Sequence, residues 1–202
     1  MTTFPFGLID AVLWLFLILG ASASVVLAIL VNRKPQQRPL VYAMVGALLA
    51  TLLLAMMLPI SPNAAAGGIL TILMIFLAVA GGGAVVTAVL DIATGGSVLG
   101  GTHGGILVAA NAHGAGDLEA ARQPKREVMR GGVTIGMLER LSVAAVIVAG
   151  YPEGLAVIIA IKGVGRFSEL GEAAEARERF IIGTLVSWLW ASTCAGVVLL
   201  TR

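Results

Sequence analysis

The stretch Gly131–Arg140, GGVTIGMLER, places a carboxylate and a guanidinium side by side in a segment that is otherwise largely apolar as far as Gly150. A charge at the centre of a bilayer costs at least roughly 2.5 kcal/mol on insertion scales, so it is found mainly where it faces a protein interior or a water-filled cavity and has a partner. Glu139 and Arg140 are therefore expected to face neighbouring helices that carry groups able to pair with them.

The composition is that of an integral membrane protein. Of the 202 residues, 58% are hydrophobic and 12% are charged, and the mean hydropathy is +1.00. In soluble domains about a quarter of the residues are charged. The basic residues are scattered over short loops, which argues against nucleic-acid binding. The single cysteine, Cys194, lies in an apolar run and is expected to be a packed core thiol.

Six apolar stretches predict an all-α integral membrane helical bundle that forms one domain over residues 1–202. A spanning helix needs about 20 residues. The fifth stretch has 13 residues and contains Lys162 and Arg166, so it is predicted to be a short, charged helix rather than an ordinary lipid-facing span. The predicted spans are Leu8–Val31, Leu40–Ile60, Gly68–Leu90, Gly131–Gly150, Leu155–Phe167 and Phe180–Leu200.

A glycine-rich polar loop is predicted between the third and fourth spans, at residues 93–130. It carries His103 and His113, ten residues apart. This spacing does not place two metal ligands side by side on a helix, so a flexible or re-entrant segment is favoured over a metal site. Asp117–Arg130 is polar, with mixed charges, and is predicted to be helical at the membrane surface. No phosphate-binding glycine motif is present, and no cofactor is predicted.

Small residues spaced four apart predict close helix packing, either within one chain or in a homo-oligomer. Glycine costs a helix about 1 kcal/mol relative to alanine in water, but in membranes it lets helices approach one another. Gly81, Gly82 and Gly83 stand together inside the third span. The small-residue faces are Gly20, Ser24 and Ala28; Gly132 and Gly136, which share their face with Arg140; and Gly183, Ser187 and Ala191. Gly83, Thr87 and Asp91 share one face of the third span, which is expected either to pack against another helix, the favoured alternative, or to line a cavity.

The distribution of basic residues predicts the orientation in the membrane. Lys and Arg in short loops favour the cytoplasmic side. With six spans, nine basic residues fall on one side and Arg202 falls on the other, so both termini are expected to be extracytoplasmic. The nine are Arg33, Lys34, Arg38, Arg122, Lys125, Arg126, Arg130, Arg177 and Arg179.

The charges inside the spans are predicted to form one cluster. If the fourth and fifth helices are antiparallel, a rise of 1.5 Å per residue places Glu139, Arg140 and Arg166 in a similar layer, with Lys162 about one turn away and Glu178 within reach. Glu139 is predicted to be ionised and paired with Arg166 or Lys162. The candidate site residues are Glu139, Arg140, Lys162, Arg166 and Glu178.

Three blocks of the C-terminal part, IGMLER (Ile135–Arg140), KGVGRFSEL (Lys162–Leu170) and ERFIIGTLVS (Glu178–Ser187), resemble a family of uncharacterised bacterial multi-pass membrane proteins. The resemblance covers about the last 75 residues. It implies a bacterial cytoplasmic membrane location, and it carries no activity. The family's recurring polar positions correspond here to Glu139, Arg140, Lys162, Arg166, Glu169 and Glu178.

Three functional classes follow from these features. In the first, the charge cluster fixes helix packing or assembly with a membrane partner. In the second, Glu139, Lys162 and Arg166 belong to a transporter or channel for a small solute, an ion or protons. In the third and least favoured, the protein is an intramembrane enzyme, but no H-E-x-x-H or G-x-S-x-G motif is present and neither histidine lies in a predicted span. The predicted partners are the lipid bilayer and, for assembly, a second copy or another membrane protein.

Overall fold

The computed structural model confirms the helical bundle. It describes residues 7–34, 37–58, 64–93, 106–109, 125–128, 132–165 and 174–202. Within these ranges the chain forms α1 (Leu8–Arg33), α2 (Arg38–Met57), α3 (Ala64–Ala93), β1 (Ile106–Ala109), β2 (Lys125–Val128), α4 (Gly132–Val148), α5 (Gly154–Gly165) and α6 (Ala174–Leu200). Each of the six helices coincides with one of the six predicted stretches.

Among the described residues, four helices are long and apolar enough to cross a membrane: α1, α2, α3 and the Arg177–Leu200 part of α6. The other two are shorter, because α4 has 17 residues and α5 has 12. At 1.5 Å per residue these lengths are about 26 and 18 Å, against a hydrocarbon core of about 30 Å. The fourth helix is shorter than its predicted stretch because it ends in a turn at Gly150, whose φ of 76° lies in the left-handed region that favours glycine.

The core lies around α3, which packs against α1, α4 and α6. Helix α2 covers α1, and α5 packs on α4 at the edge of the bundle. Many large apolar side chains on the outside are exposed, for example Leu53 and Leu189, as expected for surfaces that face lipid. The apolar side chains that are fully buried include Leu17, Met44, Leu48, Leu77, Val143 and Val197.

Two of the predicted small-residue faces pack closely within the chain. A Cβ atom at Gly20 would lie 2.8 Å from the Thr51 hydroxyl oxygen, so α1 and α2 are in direct contact there. A Cβ atom at Gly183 would meet Val86 and Leu90 at 3.5 and 3.8 Å, which is ordinary van der Waals contact between α6 and α3. The shorter distance at Gly20 explains why a residue without a side chain stands there.

The loop between α3 and α4 differs from its prediction at one point. Lys125–Val128, expected to be helical, forms a strand that pairs antiparallel with Ile106–Ala109, with Ile106 opposite Val128. A strand is fixed by a partner distant in sequence, which the local pattern of charges does not reveal. His103 and His113 lie outside the described residues.

Helix α3 extends well beyond the end of α1. Asn32 is the penultimate residue of α1, and its side chain donates a hydrogen bond to the Ala80 carbonyl oxygen at 3.0 Å. Because α3 ends at Ala93, it continues for about 20 Å past that contact at 1.5 Å per residue. This extension forms one wall of the cavity described next.

Candidate solute cavity

The triple glycine of α3 forms a socket for two large side chains. At Gly81 a Cβ atom would lie 2.7 Å from the indole ring of Trp190 and 3.1 Å from the Met44 sulfur. At Gly82 a Cβ atom would overlap the Arg140 side chain and would lie 2.9 Å from Trp190 Cδ1. Only a residue without a side chain lets α4 and α6 place Arg140 and Trp190 against this part of α3.

Carbonyl oxygens of α3 accept hydrogen bonds from three other helices. Trp190 Nε1 of α6 donates to the Leu77 oxygen at 3.2 Å, and Arg140 Nε of α4 donates to the Val79 oxygen at 3.1 Å. The Ala80 oxygen accepts the bond from Asn32 of α1. A carbonyl oxygen has two lone pairs, so these bonds do not require the helix to give up its own.

Arg140 is 5% exposed and lies midway along α4, about 12 Å from either end at 1.5 Å per residue. Besides the Val79 carbonyl, its guanidinium contacts the Ser187 hydroxyl, with Nη1 donating at 3.4 Å. Both acceptors are neutral. A guanidinium has five N–H donors, and these two bonds leave three without a partner among the residues that the structure describes.

Glu139 forms an ion pair with Lys162, one of the two partners expected from the sequence. Lys162 Nζ lies 2.5 Å from Glu139 Oε2, and the two side chains are 16% and 12% exposed respectively. The same ammonium lies 5.1 Å from the centre of the Phe180 ring, within the range of a cation–π contact. The pair therefore joins α4 to α5, with Phe180 of α6 contacting its positive end.

A cavity of about 470 Å³ reaches this cluster. Its size is within the range of pockets that hold small molecules. Glu139, Arg140 and Lys162 all line it, and glycine, alanine and threonine residues of α3, α4 and α6 make up much of the remaining wall. Those small residues are Ala80, Gly83, Ala84, Thr87 and Ala88; Gly132 and Gly136; and Gly183 and Thr184.

The outer part of the cavity lies where several helices begin or end. Val31 at the end of α1 and Val41 at the start of α2 belong to its lining, as do Asp91 and Arg179. Asp91 Oδ2 forms an ion pair at 3.0 Å with Arg38. The cavity thus lies toward the end of the bundle that carries the basic loops.

Of the five predicted site residues, the structure brings three together in one cluster. It brings Glu139, Arg140 and Lys162 together, with Lys162 directly against Glu139 rather than one turn away. Glu178 is exposed, and Arg166 lies outside the described residues. Sequence analysis missed Asn32 and Phe180 as neighbours of the cluster. Both lie near the end of an apolar stretch, and the sequence pattern there does not indicate which helix each side chain contacts.

The glycines of α4 have a different role from the predicted one. A Cβ atom at Gly136 would lie 3.2 Å from Arg140 Nη1, on the same helix, and Gly132 and Gly136 both line the cavity. Gly136 thus makes room for the guanidinium rather than for a neighbouring helix, and Gly132 forms part of the cavity wall. Cys194 is fully buried, as predicted. Among the described parts of the chain, no group of three or more His, Cys, Asp or Glu residues is arranged to hold a metal ion.

Comparison of the chain with models of protein families, with curated proteins and with solved structures found no match.

Proposed function

We propose that this protein is a component of a pathway for a small hydrophilic solute or ion, which enters the cavity from the cytoplasmic side of a bacterial cell membrane. The cavity that reaches Glu139, Lys162 and Arg140 carries the proposal. Charges inside membrane proteins usually serve either conformational specificity or a polar route. A cluster that borders space of solute size favours the route.

A second candidate is a purely structural role, in which the charges fix helix packing or assembly with a membrane partner or a second copy. The bonds of Arg140 to the Val79 carbonyl and to Ser187 favour it, because they hold α4 against α3 and α6. A structural role explains the packing of the Arg140 side chain and the two hydrogen bonds that its Nε and Nη1 atoms donate. It does not account for the cavity beside them.

Orientation is the first expectation to test. The basic residues Arg33, Lys34 and Arg38 and the outer part of the cavity lie at one end of the bundle, and the positive-inside rule assigns that end to the cytoplasm. Reporter fusions in a bacterial host should therefore place Arg33 and Arg126 on the cytoplasmic side, and Tyr151 and Arg202 outside. Reporters that place Arg33 and Arg126 on opposite faces would contradict the six-span arrangement.

Access to the cavity can be measured with single cysteines. Thr184 lines the cavity, whereas Leu185, its neighbour on α6, is 58% exposed on the outer surface of the bundle. In a Cys194→Ala background, Thr184→Cys should react with a membrane-impermeant anionic thiosulfonate added from the cytoplasmic side, because the cavity admits water. Leu185→Cys should react at least about tenfold more slowly, because a thiol in lipid does not form the reactive thiolate.

Lys34→Cys provides the positive control, since Lys34 is exposed at the end of α1 and lies outside the cavity lining. Inverted vesicles should label Thr184→Cys and Lys34→Cys, and right-side-out vesicles should label neither. If Lys34→Cys reacts while Thr184→Cys is as slow as Leu185→Cys, the cavity is closed to water and the pathway proposal is wrong.

A further inference from the structure

The charged side chains around the cavity differ in whether they have an ion-pair partner. Among the described lining residues are the carboxylates of Asp91 and Glu139 and the cations of Arg140, Lys162 and Arg179. Glu139 is held by Lys162 at 2.5 Å, and Asp91 is held by Arg38, which is outside the lining, at 3.0 Å. Both carboxylates thus have ion-pair partners other than Arg140, although the charge of Glu139 also acts on the neighbouring Arg140.

Arg140 is the buried cation whose observed hydrogen bonds go to neutral groups. Its bonds to the Val79 carbonyl and the Ser187 hydroxyl hold it in position, and the rest of its planar N–H fork has no acceptor among the described residues. A guanidinium fork matches an oxyanion, with two parallel N–H···O bonds that are about twice as strong as neutral ones.

Glycines leave space beside this fork. Cβ atoms at Gly83 and Gly136 would lie 4.0 Å from Nη2 and 3.2 Å from Nη1 respectively, and both glycines line the cavity. A ligand oxygen can approach the guanidinium where any other residue would place a side chain. From these observations we infer that Arg140 binds an oxyanion, a phosphate or a carboxylate, in this cavity.

The inference rests on the proposed function, since the ligand has to enter the cavity. A phosphate could come from solution or from the headgroup of an anionic lipid. Both would meet the same guanidinium of Arg140. The experiment below separates the two sources.

The test measures the rate at which neutral N-ethylmaleimide modifies Thr184→Cys in the Cys194→Ala background. A neutral reagent is chosen because a bound anion then slows the reaction by excluding the reagent from the cavity rather than by attracting or repelling it. For purified protein in a neutral detergent, inorganic phosphate should slow modification at least threefold relative to chloride at equal ionic strength. Lys34→Cys, outside the cavity, should be unaffected.

A second arm uses vesicles of phosphatidylcholine with or without phosphatidylglycerol. Slowing by phosphatidylglycerol but not by inorganic phosphate would identify the lipid headgroup as the source of the oxyanion. Arg140→Lys retains the charge but lacks the planar fork, so it should lose most of the protection. Circular dichroism and gel filtration would establish that this variant is folded; if it is not, the measurements on the Thr184→Cys protein decide.

Each failure has a distinct reading. If Thr184→Cys is modified readily and neither phosphate nor phosphatidylglycerol slows it, the oxyanion site is wrong while the water-accessible cavity stands. Protection that persists unchanged in folded Arg140→Lys would also overturn the assignment to Arg140. If Thr184→Cys is not modified at all, the cavity is closed, and both the proposed function and this inference fail.

Discussion

Glu139→Gln is expected to lower the free energy of unfolding by about 3 kcal/mol, because it removes one member of a largely buried ion pair and leaves the other uncompensated. The remaining Lys162 ammonium would keep its contact with the Phe180 ring, which supplies only part of the lost attraction. Combining Glu139→Gln with Lys162→Met should recover much of the loss, because no unpaired charge remains. Thermal unfolding followed by circular dichroism in one detergent would compare the variants.

Glu153→Gln is the matched control, since Glu153 is exposed in the turn between α4 and α5. It should leave the unfolding temperature almost unchanged. If the losses from Glu139→Gln and Lys162→Met are simply additive, the two residues do not stabilise each other and the pair has no energetic meaning. A stable double variant that still supports cell growth, but no longer takes up or exports a solute, would favour the pathway over the structural role.

Gly82→Ala is expected to be strongly destabilising, because the space for a Cβ atom is smaller at Gly82 than at the other glycines compared among the described residues. The added methyl group would overlap the Arg140 side chain and crowd the Trp190 ring, and hydrogen bonds to α3 hold both residues in place. Overpacking of a core costs about 1 to 3 kcal/mol, and displacement of Arg140 or Trp190 would add the loss of a buried hydrogen bond. Tryptophan fluorescence during heating would follow the loss of this contact.

Gly46→Ala supplies the matched control. Gly46 is also inside a helix, but a Cβ atom there would meet nothing within 4 Å. Alanine should therefore be neutral or stabilise α2 by up to about 1 kcal/mol, as its helix propensity predicts. Equal unfolding temperatures for Gly82→Ala and Gly46→Ala would show that Arg140 and Trp190 do not pack directly against Gly82.

The helices and the clustering of Glu139, Arg140 and Lys162 could be predicted from the sequence, whereas the choice between Lys162 and Arg166 as the partner of Glu139 was left open. Long apolar runs specify helices in a bilayer, and a rise of 1.5 Å per residue limits which charges can lie at the same depth. The partners of Arg140 could not be predicted in this way. They are main-chain carbonyls and a serine hydroxyl, and a carbonyl is present at every residue.

A cavity was predicted only as the less favoured alternative for the face of Gly83, Thr87 and Asp91, all three of which line it. The spacing of Gly132 and Gly136 predicts close packing, but spacing alone does not distinguish a glycine that touches another helix from one that leaves a void. The structure shows both cases, with Gly183 against α3 and Gly136 beside the Arg140 guanidinium. Strand β2 escaped prediction for a related reason, because its partner lies far away in the sequence.

The unequal lengths of the helices affect the surrounding membrane. Helix α3, with 30 residues, is about 45 Å long, whereas α5 by itself covers about 18 Å of a hydrocarbon layer of about 30 Å. A bilayer responds to a short helix by thinning beside it. The lipid next to α5 is therefore expected to be compressed. The hydrocarbon layer that separates the two aqueous phases would then be thinnest beside Lys162. The hydrophobic barrier would be lowest on the side of the bundle where the charged residues lie.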